Sequence, residues 1–214
     1  LQITNSKLQV PNKINVVMHG YDKRYEIGDK EMRDSGDKEI RDNEIIKKNN
    51  IKKPYILSIG RLEEKKNTVR IVEAFEKVRL SLITDHLSLV LVGNPGHGYS
   101  KVREAIENSQ FKSNILTPGW VGKDDLPALM RGASVFVFPS LAEGFGMPIL
   151  EAFASGTPVV ASQGGTLQEV GGDACIYVDP LSVEEIADAI LKLQIQNYKS
   201  QIVERGKERV KDFS

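Results

Sequence analysis

The stretch VFVFPSLAEGFGMPILEAFASGTPVVAS, Val135 to Ser162, holds two apolar runs separated by a segment with helical features. The first run ends at Pro139 and the second occupies 158–162. Between them, Pro148 suits a first helical turn, where its missing N–H loses no bond, and Gly156 suits a helix end. Short, continuous apolar runs that alternate with helices are typical of parallel strands covered on both faces. The stretch therefore predicts a strand–helix–strand unit of a parallel sheet.

The same alternation continues on both sides of this unit. The apolar runs YILSIG (55–60), LSLVLVG (87–93) and NILTPGWV (114–121) predict three strands before it, and ACIYVD (174–179) predicts one after it. Apolar residues at helical spacing fill the intervals. The predicted helices cover 67–79, 101–109, 124–131, 148–154, 165–170 and 183–193, with Asn67, Asp124 or Asp125, and Ser182 as N-caps.

These elements predict an α/β fold, a doubly wound parallel sheet of Rossmann-like type, over residues 54–195. Before it, INVVM (14–18) predicts one strand within segment 1–20. Residues 21–53 are highly charged and contain the imperfect duplication DKEMRDSG–DKEIRDNE, so we expect a solvated linker or an exposed helix there. Residues 196–214 are expected to form a helical tail.

Bulk composition excludes several function classes. Among the 214 residues, Lys+Arg and Asp+Glu both number 29, which argues against a general nucleic-acid binder. One cysteine allows no internal disulfide and favours a reducing, cytoplasmic location. No apolar run approaches the roughly 20 residues of a membrane span. The start of the chain carries neither a signal-peptide pattern nor a Met, so we expect it to be the interior of a longer chain.

Ligands of doubly wound sheets bind beyond the carboxyl ends of the strands. There, the segment GRLEEKK carries Arg61 and Lys66 on a loop that leads into a helix. A phosphate at this place would meet both cations and helix-terminal N–H groups. The same residues are also compatible with an ordinary polar loop whose cations face solvent. The next such loop, GNPGHGYS, matches neither a dinucleotide fingerprint nor a P-loop and predicts only a turn near the ligand.

The segment EGFGMPILE places two acids at the next strand end. Glu143 lies in the loop and Glu151 about one turn into the predicted helix. The helix dipole alone accounts for a glutamate such as Glu151, but it does not account for a Gly-Phe-Gly turn directly after Glu143. We interpret the segment as a binding site with two non-equivalent acids. Scattered histidines and the absence of an Asp-x-Asp pair favour a site without a metal, in which side chains carry the positive charge.

Four motifs in this order and spacing resemble one known family: GRLEEKK, GWV followed by DDLPALMRGA, the 135–162 stretch, and GGTLQEV. They are similar to the C-terminal, donor-binding domain of retaining glycosyltransferases of family 4, which have the GT-B fold. The likeness covers about 54–193. One departure is Asn67, where many relatives have Gly. INVVMHGYD is similar to the last strand of the family's N-terminal domain, so the resemblance makes 1–20 a remnant of that domain and 21–53 a linker.

The resemblance implies roles for individual residues. Arg61 and Lys66 would bind the donor diphosphate, Glu143 would lie beside the donor sugar, and Glu151 would hold the ribose hydroxyls. The segment at Trp120 would line the nucleobase pocket. The implied catalytic residues are Glu143, Arg61 and Lys66, and the implied substrate-binding residues are Gly60, Val121, Phe145, Gly146, Met147 and Glu151.

The resemblance also implies an activity for the full enzyme. It would transfer a hexose, for instance mannose, from a nucleotide-diphosphate sugar to a glycan or lipid-linked acceptor with retention of configuration. No metal or other cofactor would take part, and the enzyme would associate peripherally with the inner face of a membrane during polysaccharide biosynthesis. Because the acceptor-binding N-terminal domain is almost wholly missing, we expect this chain to be inactive alone.

Three other functions are compatible with parts of the pattern. A glycoside hydrolase could use Glu143 and Glu151 as its acid pair, but a retaining pair needs carboxyls about 5–5.5 Å apart and has no use for Arg61 and Lys66. A sugar-nucleotide epimerase shares the fold. A non-catalytic nucleotide-sugar-binding module is the third alternative.

Overall fold

The computed structural model describes residues 22–26, 35–82 and 86–213 of the chain. The strand predicted at 14–18 and residues 29–34 of the first repeat of the charged duplication lie outside the described residues. Within them are six strands: β1 (Tyr55–Ile59), β2 (Ser88–Val92), β3 (Ile115–Gly119), β4 (Val135–Phe138), β5 (Val159–Ser162) and β6 (Cys175–Val178).

Eight α-helices are described. They are α1 (Ser35–Lys48), α2 (Thr68–Ser81), α3 (Tyr99–Asn108), α4 (Leu126–Gly132), α5 (Met147–Ala154), α6 (Gly165–Gly171), α7 (Val183–Lys192) and α8 (Gln196–Val210). Short 3-10 turns cover Lys23–Tyr25, Glu64–Lys66, Lys112–Asn114 and Lys211–Phe213. Over the described ranges, none of these helices has the length and apolar character needed to cross a membrane.

The strands form one parallel sheet in the order β3-β2-β1-β4-β5-β6. The first strand, β1, lies in the middle of the sheet. Strands β2 and β3 are added on one side of it, and β4, β5 and β6 on the other. This order confirms the predicted doubly wound α/β fold. The direction of winding reverses between β1 and β4, and we call the carboxyl end of this switch point the crevice, because ligands of such sheets bind there.

Each face of the sheet has its own hydrophobic core, because neighbouring residues of a strand point to opposite faces. Ile56 packs in the core beneath α2 and α7, whereas Leu57 packs in the core beneath α4 and α5. The second core contains a stacked pair of rings, Phe136 and Phe138, with centroids 5.5 Å apart. Because both faces are covered, the strands read as continuous apolar runs.

The helices α2, α4 and α7 begin where predicted, but only one of the three predicted N-cap side chains caps its helix. The Ser182 hydroxyl accepts the Glu185 N–H at 3.2 Å, so this N-cap is confirmed. Asn67 does precede α2, but its φ of 59° is left-handed and its side chain does not cap the helix. The capping prediction for Asn67 is therefore wrong. Neither Asp124 nor Asp125 caps α4 through its side chain; they pair instead with Arg24 and Lys48.

The charged segment is not wholly solvated. Helix α1 packs on α4, with Ile46 buried in the core. Gly132 of α4 permits this approach, because a Cβ there would lie 2.5 Å from Cδ1 of Ile46. The prediction that this segment is exposed to solvent therefore holds for only one face of α1. Sequence reasoning weighted the charged duplication and overlooked the apolar residues that follow it. The proposed division of the chain into domains stays a prediction.

The last helix packs across α5. A Cβ at Gly206 of α8 would lie 2.8 Å from Cδ1 of Phe153, so the two helices meet at a position where any side chain would collide. Arg209 donates to the carbonyl oxygens of Glu169 and Val170, which ties α8 to α6 as well. The tail predicted as helical is thus part of the folded unit.

One ion pair fastens α1 to α4. Arg131 donates from Nε and Nη2 to the two carboxylate oxygens of Asp42, at 2.7 Å each. Its Nη1 donates to the carbonyl oxygen of Arg24 at 3.1 Å. The two side chains are only 15% and 13% exposed, so either charge left alone would be largely desolvated.

We expect Asp42→Ala to lower the free energy of unfolding by about 3 kcal/mol, because it leaves the poorly hydrated Arg131 charge without its carboxylate partner. Asp173→Ala is the control, since this carboxylate is 81% exposed and lies 3.9 Å from Arg205. The control should lose less than about 1 kcal/mol. Denaturant titration of both variants makes the comparison, and equal losses would contradict the role given to the Asp42 pair.

Candidate functional site

Glycines bring the ends of the first three strands into backbone contact. A Cβ at Gly93 would lie 1.9 Å from the carbonyl oxygen of Gly60. The Gly60 N–H donates to Val92 at 2.9 Å, and the Gly93 N–H donates to Gly119 at 2.8 Å. No side chain fits at Gly93, so the first glycine of GNPGHGYS serves close strand packing.

The loops after β1 and β2 are then joined along their length. The Leu62 N–H donates to the Asn94 carbonyl at 3.0 Å, and the Gly96 N–H donates back to Leu62 at 3.1 Å. Lys101 donates to Glu64 at 2.6 Å, and this hydrogen bond lowers the pKa of the Glu64 carboxyl. The loop that carries Arg61 and Lys66 is therefore held by its neighbour before any ligand arrives.

Lys66 and Glu143 are brought together by the fold. Nζ of Lys66 lies 2.5 Å from Oε1 of Glu143, and it also lies 5.0 Å from the centroid of the Phe138 ring. The side chains of Lys66 and Glu143 are 22% and 11% exposed. A predicted cation from the loop after β1 and a predicted acid from the loop after β4 thus form one ion pair across the crevice.

Arg61 is exposed at the mouth of the same crevice. Over the described residues it forms no hydrogen bond or ion pair, so its guanidinium group is available to an anion. Gly60, just before it, has a φ of 151°, and a Cβ there would lie 3.3 Å from Cε of Lys66. Gly60 therefore leaves room for the Lys66 side chain to run past the strand end.

The loop from Glu143 to Met147 runs against α6. The Thr166 hydroxyl donates to the carbonyl oxygen of Glu143 at 3.1 Å. Gly146 has a left-handed φ of 100°, and a Cβ there would lie 2.7 Å from Cδ2 of Leu167. The ring of Phe145 packs edge-on against Phe213 at 6.3 Å. The predicted substrate-binding residues Phe145, Gly146 and Met147 are therefore held in place at the start of α5.

Glu151 has a different environment from Glu143. It lies one turn into α5, and burial raises the pKa of its carboxyl, with a further increase from the negative charge of Asp22. A hydrogen bond with Tyr25 acts in the opposite direction. The pKa of Tyr25 is raised in turn, first by burial and then by Glu151. Glu143 thus has the ammonium group of Lys66 as its partner, whereas Glu151 has the phenol of Tyr25.

Trp120 and Val121 separate at the end of β3. Trp120 is 72% exposed, whereas Val121 is 5% exposed and packs in the core with α4 and α5. The side chain of Val121 is therefore not free to line a nucleobase pocket, and only its main chain or the neighbouring indole ring could do so. Its assignment as a substrate-binding residue stays a prediction.

Two features near the site were missed by the sequence reasoning. Tyr25 and Asp22 come from the charged segment, where no pattern pointed to contact with Glu151. A cavity of about 410 Å³ lies beside them but is lined by none of the predicted site residues. Its lining residues are Arg24, Asp37, Lys38, Arg41, Asp42, Ile45, Asp124, Pro127 and Arg131.

Acidic, histidine and cysteine side chains do not cluster as metal ligands in the described ranges; no group of three or more could hold an ion. His97 is 90% exposed and has Glu64 at 4.0 Å as its charged neighbour. The buried Cys175 thiol has its pKa raised to about 12 by burial, which keeps it protonated and unreactive at neutral pH. The expectation of a metal-free site stays a prediction.

Comparisons with known proteins agree with this architecture. Over 161 residues, 75% of this chain, the sequence is 36% identical to the O-antigen chain mannosyltransferase B of Escherichia coli and spans 42% of that protein. The structure superposes on the C-terminal domain of the glycosyl transferase group 1 family protein LpcC from Francisella tularensis with a TM-score of 0.67 and 22% identity, over 79% of this chain and 90% of that one.

The chain also superposes on half of a longer protein of known structure. Anabaena HepE, solved in complex with UDP and glucose, matches 91% of this chain with a TM-score of 0.73 and 19% identity, and the match covers 51% of HepE. The chain therefore spans about half or less of such longer relatives. The family described as glycosyl transferases group 1 matches residues 41–209, which is most of the chain. The chain belongs to the group 1 family of glycosyl transferases.

Proposed function

We propose that this chain is the donor-binding half of a retaining glycosyltransferase of family 4. Its donor would be a nucleotide-diphosphate sugar carrying a hexose, with mannose as the leading candidate. The observation that supports this most strongly is the Lys66–Glu143 pair beside the unpaired Arg61, at the crevice where ligands of doubly wound sheets bind. The identity to a mannosyltransferase and the UDP and glucose in the HepE structure are consistent with this donor class.

The diphosphate would take both cations. Arg61 offers a planar fork of donors and Lys66 a point charge, and each charge-assisted hydrogen bond contributes about 1.5–3 kcal/mol. When the bond to the sugar breaks, negative charge grows on the departing diphosphate, so the same cations stabilise the transition state more than the ground state. This is the catalytic role proposed for them, and it requires no metal.

Donor binding would exchange the partner of Lys66. In the structure the Glu143 carboxylate occupies the position beside Lys66 that a ligand anion would take, with its Oε1 2.5 Å from Nζ. A diphosphate that draws Lys66 away would release the Glu143 carboxylate toward the sugar, where it could accept hydroxyl protons and stabilise a positively charged reacting carbon. Glu143 would therefore act on the sugar, and Glu151 would hold the ribose.

The acceptor would bind to a second domain, in the part of longer relatives that this chain does not span. That domain would supply the site for a glycan or a lipid-linked saccharide, and the whole enzyme would work in the cytoplasm at the inner face of a membrane. The chain by itself would bind a donor without transferring its sugar.

A nucleoside diphosphate alone should bind the chain, because most of the predicted contacts are made to the diphosphate and ribose. At a free concentration of about 100 times Kd, the free energy of unfolding should rise by about 2.7 kcal/mol. Calorimetry and thermal unfolding with UDP, GDP and ADP provide the test. A folded sample that shows no response to any of them at millimolar concentration would reject the preformed site.

Lys66→Ala should weaken nucleoside diphosphate binding by about tenfold or more, since it removes a charge-assisted contact. Lys65→Ala is the matched control: the adjacent lysine is exposed, and its loss should change affinity by less than about twofold. Glu143→Gln should bind the nucleoside diphosphate at least as tightly as the wild type, because Lys66 is then free. Equal weakening in Lys66→Ala and Glu143→Gln would overturn the partner exchange.

Glu151→Gln should weaken nucleotide binding and at the same time stabilise the unliganded chain at neutral pH. Burial raises the folded-state pKa of Glu151, so the protonated form contributes stability that is lost as pH rises through that pKa. A neutral glutamine keeps this contribution at every pH. Because its pKa is raised, Glu151 becomes protonated at a higher pH than an ordinary glutamate. The nucleotide affinity of the wild type should therefore begin to fall at a correspondingly higher pH on acidification.

The control for Glu151→Gln is Glu169→Gln, which removes the same charge from an exposed position on α6. Denaturant titration and calorimetry at neutral pH compare the two variants. Unchanged affinity in Glu151→Gln, or a loss of stability, would contradict the environment assigned to this carboxyl.

A further inference from the structure

Asn67 has a backbone conformation that few residues adopt. It directly follows Lys66, immediately precedes α2, and has a left-handed φ of 59°. Its side chain is almost fully enclosed, with 3% of the residue exposed. Glycine and asparagine are the residues that reach this conformation at least cost. A glycine would therefore satisfy the backbone here, and the presence of asparagine must be explained by its side chain.

The Asn67 amide makes hydrogen bonds in three directions. Nδ2 donates to the carbonyl oxygen of Pro139 at 3.0 Å and to that of Pro180 at 2.5 Å. Oδ1 accepts from Nη1 of Arg70 at 3.0 Å. Carbonyl oxygens only accept and guanidinium groups only donate, so the orientation of the amide is fixed by its partners.

These contacts join three strand exits at the carboxyl edge. Asn67 stands on the loop after β1, Pro139 follows β4, and Pro180 follows β6. Two further bonds reinforce the same junction: the Leu141 N–H donates to the Lys65 carbonyl at 2.9 Å, and the Ser162 hydroxyl donates to the Ser140 carbonyl at 2.5 Å. The loop of Lys66 is thereby attached to the loop of Glu143 at its base.

We infer that Asn67 is a positioning residue of the donor site, an inference that rests on the proposed function. Its amide sets the separation of the two loops, and through them the approach of Lys66 to Glu143 and to a bound diphosphate. The hydrogen bonds of its side chain go to Pro139, Pro180 and Arg70, not to Lys66 or Glu143. A glycine would keep the turn but leave the Pro139 and Pro180 carbonyls without this donor, and the crevice would lose its fixed width.

Three variants of the chain test this role. Asn67→Gly preserves the left-handed backbone and removes the amide. Asn67→Asp keeps the shape but turns a carboxylate toward two carbonyl oxygens, which repel it. Thr157→Ala is the matched control: it removes one buried hydrogen bond, to the Met130 carbonyl at 2.6 Å, at the amino-terminal edge of the sheet. Each variant is titrated with UDP, GDP and ADP by calorimetry, and its thermal stability is measured in parallel.

Asn67→Gly should bind the nucleoside diphosphate about tenfold more weakly than the wild type, since small misplacements of contact groups have effects of at least this order. Asn67→Asp should bind more weakly still. Thr157→Ala should lose stability but keep its affinity within about twofold. Affinity unchanged in Asn67→Gly, or reduced equally in Thr157→Ala, would overturn the positioning role.

Hydrogen exchange without nucleotide separates this inference from the proposed function. The Leu141 amide, which is bonded to Lys65, should exchange faster in Asn67→Gly than in Thr157→Ala. That result would support the role of Asn67 in holding the loops even if the wild type bound no nucleoside diphosphate, an outcome that rejects only the proposed function. Equal exchange at Leu141 in the two variants would overturn the inference directly.

Discussion

The ion pair between Lys66 and Glu143 connects the two halves of the sheet at its carboxyl edge, and the properties of the site depend on it. Winding in the order β3-β2-β1-β4-β5-β6 reverses direction between β1 and β4, so the loops after these two strands face each other at the carboxyl edge. Opposite charges placed on the two sides of the crevice keep each other compensated while both are mostly removed from water. An incoming anion would replace the carboxylate as partner of the lysine, so the charge of Lys66 would be compensated in both states.

The two acids of EGFGMPILE differ because their surroundings differ. Glu143 forms an ion pair with the Lys66 ammonium group, whereas Glu151 is half-buried beside Tyr25 and the negative charge of Asp22. Nine residues of sequence thus carry one acid with a cationic partner and one whose pKa is raised by burial. This division depends on the loop before α5, because Gly146 takes a left-handed conformation that turns the chain between them.

Features that depend on residues close together in the sequence could be predicted, whereas features that depend on residues far apart in the sequence could not. Most of the strands were predictable because a parallel strand covered on both faces is a nearly continuous apolar run. The cap at Ser182 was predictable because its partner is three residues away. Asn67 was misassigned because its amide bonds to carbonyls 72 and 113 residues further along the chain. The packing of α1 and the contact of Tyr25 with Glu151 were hidden for the same reason. The sequence places Arg61, Lys66 and Glu143 after strands of one sheet and so predicts that they share its carboxyl edge. It did not predict that Lys66 and Glu143 form an ion pair.

Trp120 lies at the end of β3 on this edge and is 72% exposed. It is the single tryptophan among 214 residues. Emission excited selectively from indole therefore arises from one exposed point on the surface of the chain, and no buried tryptophan obscures it. The protein carries a built-in fluorophore on the carboxyl edge of its sheet, and any aromatic ring that stacks on that indole changes the polarity around it and the light that it emits.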